Sequence, residues 1–108
     1  MWVITRHGFY SAVQHRDDGG QILVRARVRS DLDAMLALLG RDSEVVSDPC
    51  ADYRFRTTIE RGAWAAFLAA EAAGVDYESH AKEAMAGSDR RRYDAYLDCW
   101  AALARLQQ

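Results

Sequence analysis

Arginine occupies every second position in two short segments: Arg25, Arg27 and Arg29 in QILVRARVR, then Arg54 and Arg56 in YRFRTTIE. A period of two is the period of a β-strand, whose successive side chains point to opposite faces. Each segment would therefore raise a row of guanidinium groups on one face, with Val24, Ala26 and Val28, or Tyr53, Phe55 and Ile59, on the other. Asp17-Asp18-Gly19-Gly20 stands just before the first segment and reads as a hairpin turn, because aspartate sets up the turn and glycine accepts positive φ. A strand over residues 21–29, entered from a tight turn, commits the chain to an antiparallel sheet.

The remaining elements follow from spacing. Residues 2–14 read as one extended segment, interrupted at Gly8 by a bulge or bend. Leu32, Met35, Leu36 and Leu39 recur at helical spacing, with Ser30 and Asp33 as a capping box before them and Gly40 as the stop. A short strand is predicted over 44–47, a turn at Asp48-Pro49 and a strand over 52–60. Trp64, Phe67 and Leu68 mark a second helix ending at Gly74, and Ser79 opens a short helix that stops near Gly87. Ser88 or Asp89 caps a final helix with Tyr93, Tyr96, Leu97, Trp100, Ala101 and Ala104 on one stripe, expected to pack against the sheet. The expected fold is one α+β domain over residues 1–108. Its antiparallel four-stranded sheet is in permuted ferredoxin-like ββαββα order, with two additional C-terminal helices. In that order both arginine-bearing strands become central neighbours.

Charge bounds the function. Fourteen basic residues face sixteen acidic ones, a formal net charge of −2, so only a locally segregated basic face would attract a polyanion. Lys82 is the only lysine, and arginine's planar fork suits paired bonds to carboxylate or phosphate. The leading expectation is a noncatalytic binding module. Its arginine-rich sheet face, made by Arg25, Arg27, Arg29, Arg54 and Arg56 and extended by Arg6, would engage an anionic ligand. The partner would be an acidic protein patch or single-stranded nucleic acid, with Trp2 or Tyr10 stacking on a base. Two alternatives stand beside it. One is a structural or homo-oligomeric protein whose arginines pair internally, for instance with Asp94 and Asp98. The other is a small enzyme acting on an anionic substrate through His7 and Arg6.

No cofactor or metal is expected. Asp17-Asp18 lacks the ligand set of a calcium loop, no glycine-rich phosphate fingerprint surrounds Gly8, and His7, His15 and His80 share no spacing that joins them. Arg90-Arg91-Arg92 opens the last helix, where positive charge opposes the helix dipole, with Asp89 and Asp94 near enough to neutralise it. Cys50 and Cys99 sit in unlike contexts and read as unpaired thiols of a cytoplasmic protein. Neither an export leader nor a membrane span is expected.

The segments MWVITRHGFYS, LVRARVRSDLDAML, DYRFRTTIERGAWAAFL and RRRYDAYLDCWAALARLQ together resemble a family of small uncharacterised bacterial proteins. The likeness covers most of the chain. Trp2, Gly8, Phe9, Arg25, Arg27, Arg54 and Trp100 match the family pattern, which implies a free-standing bacterial protein and assigns no activity.

Overall fold

The computed structural model describes residues 1–77 and 89–107. The short helix expected over 79–87, and His80 with it, lies outside the described residues. Five strands, β1 (Trp2–Thr5), β2 (Gly8–Gln14), β3 (Gln21–Ala26), β4 (Val46–Ser47) and β5 (Phe55–Glu60), form a fully antiparallel sheet in the order β1-β2-β3-β5-β4. The helices among the described residues are α1 (Arg29–Leu39), α2 (Arg61–Ala73) and α3 (Arg90–Ala104).

The four-stranded, permuted ferredoxin-like expectation is corrected by one hairpin. Residues 2–14 do not run on as a single strand; they reverse at Arg6 and His7, so that Thr5 pairs with Gly8 and Trp2 with Ser11. Arg-His carries none of the usual turn chemistry, and the neighbouring glycine read naturally as a bulge. Gly8 is set by packing: a Cβ there would lie 2.5 Å from Asp31 Cγ on α1. The glycine lets the hairpin close directly onto the helix.

One face of the sheet is covered. Tyr10 and Ala12 of β2, Ile22, Val24 and Ala26 of β3, and Ile59 of β5 pack against Leu32, Met35 and Leu36 of α1 and Ala63, Trp64 and Phe67 of α2. The aromatic centre is tight. Phe67 meets Tyr10 edge-on at 5.2 Å and stacks on Trp64 at 5.7 Å, geometries that the ring quadrupole favours.

Boundaries moved for physical reasons. Strand β3 ends at Ala26, so Arg29 opens α1, and the N-cap is Val28 with no side-chain bond, which overturns the Ser30–Asp33 capping box. The α1 C-terminus follows expectation: Gly40 takes φ 62° and Arg41 N–H reaches back to Leu36 O. Strand β5 begins at Phe55, leaving Tyr53 and Arg54 outside the ladder. Helix α3 does not lay its aromatic stripe on the sheet. Its one buried described residue is Arg92, while Trp100 is 65% exposed.

Candidate functional site

The register builds one cross-strand row over the uncovered face of the sheet. Trp2 pairs with Ser11, Ser11 with Arg25, Arg25 with Arg56, and Arg56 with Val46. Two guanidiniums directly opposite each other cost about 0.2–1 kcal/mol, and the sequence leaves open what offsets it. The structure answers with Tyr53, expected on the core side but placed among the arginines because it precedes the ladder. The guanidinium carbons of Arg25 and Arg27 lie 4.9 and 4.4 Å from its ring centroid, and Arg56 donates to its carbonyl at 3.2 Å. Arg25 also donates to Ser11 Oγ at 2.8 Å, and Arg27 to Asp52 O at 2.6 Å. Tyr53 and Ser11 are buried as a result.

This arrangement overturns the exposed anion-binding face. The expectation required fork ends standing out from the sheet, whereas Arg25 and Arg27 lie over the Tyr53 ring and Arg25, Arg27 and Arg56 each donate to a hydroxyl or carbonyl oxygen of the chain itself. The six candidate residues also fail to share one surface. Arg29 is on α1, 3.7 Å from Asp33. Arg54 donates to Ser47 Oγ at 3.2 Å and lies over the Phe55 ring. Arg6 sits in the first hairpin turn and donates to Gly74 O. Elsewhere Arg41 pairs with Glu60 at 2.6 Å.

The strongest pairing is between two residues that the arginine pattern did not single out. Asp31 and Arg92 are 2% and 8% exposed and form a two-pronged bond, Arg92 donating at 2.7 Å to Oδ1 and at 2.8 Å to Oδ2. Asp31 Oδ2 accepts Phe9 N–H at 3.1 Å, and the Asp31 carbonyl accepts the Tyr10 hydroxyl at 2.8 Å. Arg92 also donates to Tyr96 Oη at 3.0 Å. Burial pushes the Arg92 guanidinium toward release of its proton, but the bonds to Asp31 and Tyr96 outweigh that and hold it charged. Burial pushes the Tyr10 phenol up, reinforced by the Asp31 carboxylate. Tyr96 is raised too, chiefly by burial. One carboxylate thus fastens α1 to β2 and α3.

Asp31 was legible in part. It lies four residues before Met35 and so beside the buried stripe of α1, where a carboxylate requires a cation. Of the Arg90-Arg91-Arg92 run, Arg92 alone has Tyr96 four residues on. Asp94, expected to meet the sheet arginines, instead pairs with Arg90 on its own helix at 3.1 Å.

A second fastening joins the first hairpin to the end of α2. His7 Nδ1 lies 2.6 Å from Glu71 Oε1, a bond that places the ring proton on Nδ1 wherever the carboxylate is ionised. Thr5 Oγ1 donates to the same oxygen at 3.2 Å and accepts His7 N–H at 3.0 Å. Sequence spacing alone had supplied no acid to orient His7, since Glu71 is 64 residues away. The shallow groove alongside, about 230 Å³, is lined by Val3, Ile4, Leu68, Ala72 and Val75 as well as Thr5, Arg6 and Glu71. His7 is not among its lining residues.

Among the described residues no group of three or more His, Cys, Asp or Glu side chains is placed to hold a metal, and no helix is long and apolar enough to cross a membrane. The exposed apolar side chains of the first hairpin include Trp2 at 76% and Ile4 at 44%, and Met1 and Val13 are exposed as well. No family model, no curated protein and no solved structure matches this chain.

Proposed function

We propose that this chain is a noncatalytic structural protein that works by associating with copies of itself, its arginines serving as internal fasteners. The buried Asp31–Arg92 pair carries the reading, because it commits the most enclosed guanidinium and the most enclosed carboxylate to each other and to the backbone. A buried ion pair bonded at both carboxylate oxygens fixes how elements meet and neutralises its own two charges, even though Arg92 Nε finds no hydrogen-bond partner among the described residues. Arg25, Arg27 and Arg56 are also held within the chain, without a carboxylate, by the Tyr53 ring and by hydroxyl and carbonyl oxygens. Self-association is supported by the exposed apolar side chains of Trp2 and Ile4 beside each other on the edge strand. A cytoplasmic location belongs to the same proposal and fits two exposed, unpaired thiols, Cys50 and Cys99. Membership of the bacterial family whose segments it resembles is proposed with it. Sedimentation of the full chain across the micromolar range tests the reading: a mass above the monomer is expected, and a monomer throughout would overturn it.

A further inference from the structure

We propose that two copies of this chain join through their β1 edges, making one continuous ten-stranded antiparallel sheet around a two-fold axis at Val3. The inference rests on the self-association reading and names its surface.

The hydrogen-bond phase of the first hairpin fixes what β1 offers. Met1 and Ala12 exchange both backbone bonds, each at 2.9 Å, so they form a hydrogen-bonded pair. Such pairs alternate along an antiparallel ladder, so Val3–Tyr10 and Thr5–Gly8 are bonded pairs as well, and Trp2 and Ile4 are not. The backbone N–H and C=O groups of Trp2 and Ile4 therefore point away from β2, along the edge that no described strand pairs. Among the described residues nothing bonds to them.

This edge is self-complementary. Set antiparallel to its own copy about Val3, Trp2 comes opposite Ile4 of the second copy and Ile4 opposite its Trp2, closing four backbone bonds. Both side chains lie on the uncovered face, so each exposed Trp2 covers the other copy's exposed Ile4. On the opposite face the two Val3 side chains meet beside the groove that Leu68 and Ala72 line.

The two edges of the sheet are defended unequally. β4 is two residues long and runs into Asp48-Pro49, a short strand with a charge and a proline close behind it. β1 is the uncharged, β-prone Trp-Val-Ile-Thr with no proline, which is the kind of edge that pairs. A stable interface takes about 800 Å² from each partner, more than four backbone bonds supply. Trp2, edge-on to Phe9 and 76% exposed, adds at most roughly 200 Å², and Ile4, Met1 and the Val3, Leu68 and Ala72 side of the groove supply further apolar surface.

Ile4→Lys and Ile4→Pro, in the full chain, test this by sedimentation and circular dichroism. Ile4→Pro removes an N–H that bonds to none of the described residues, so both variants should keep native dichroism and sediment as monomers where the unsubstituted chain is a dimer. Amide exchange on the unsubstituted chain gives a second reading, with the Trp2 and Ile4 amides slowing at least tenfold as concentration rises through the dimerisation range. A multimer that both variants leave intact, or a multimer whose Trp2 and Ile4 amides exchange at the same rate at every concentration, would overturn the edge while leaving self-association standing. A chain that is monomeric at all concentrations would overturn both.

Discussion

Asp31 is the residue that ties α1, β2 and α3 together. Its carboxylate receives two bonds from Arg92 and one from Phe9 N–H, all with little access to water. Removing one partner of such a pair strands the other, which typically costs about 3–5 kcal/mol, whereas replacing both with apolar groups costs much less. Arg92→Met should therefore lower stability by about that amount, and Asp31→Leu with Arg92→Met should recover a large part of it. Urea melts of the two singles and the double check this, and additive losses would show that the two residues act separately. Tyr10 adds a pH dependence. Its phenol is held protonated by burial and by Asp31, while the unfolded chain releases that proton near pH 10. The native state then binds more protons than the unfolded state, so this contribution is complete below about pH 10 and is lost as pH rises further. Melting temperature should fall on the alkaline side, and Tyr10→Phe should flatten the fall. Tyr96, shifted the same way by burial, leaves a residual slope.

At the scale of elements, what the sequence revealed was whatever a local pattern encodes. The Leu32, Met35, Leu36 stripe and the Gly40 stop locate α1, and Trp64 and Phe67 locate the buried side of α2. Both arginine segments contain a strand and Arg25 stands opposite Arg56, but Arg27, Arg29 and Arg54 of the alternation lie outside the strands. Features decided by distant contacts were hidden. Gly8 could be a bulge or a hairpin position, and only Asp31, 23 positions further along and packed against it, distinguishes the two. Tyr53 alternates with arginine in sequence yet joins the arginine face, because the ladder starts two residues later. Arg92 looked like one of three equivalent cations until α3 was placed against α1. The close approach at Gly8 gives its own prediction. Gly8→Ala puts a methyl within 2.5 Å of Asp31 Cγ and forces the hairpin off α1. Overpacking of this kind costs about 1–3 kcal/mol. Thermal unfolding should register it, and because Asp31→Ala itself strands Arg92, relief shows as a smaller Gly8→Ala penalty in an Asp31→Ala background than in the parent; a Gly8→Ala protein as stable as the parent would mean the hairpin is not seated on the helix.

For the whole molecule, the physical character of association separates internal fastening from the anion-binding face the arginine pattern first suggests. Each copy carries a formal net charge of −2, so two copies repel weakly at long range. β1 itself carries no charged side chain: its bonds would be backbone to backbone, and Trp2, Val3 and Ile4 are apolar. Raising ionic strength from about 0.1 M to about 1 M shortens the screening length from ~10 to ~3 Å, which removes the repulsion and leaves uncharged contacts untouched. Dimerisation measured by sedimentation across that range should hold steady or tighten slightly. An interface built on guanidinium–carboxylate pairs between copies would weaken over the same range, and a dimer that dissociates in salt would return Arg25, Arg27 and Arg56 to the contact surface in place of β1.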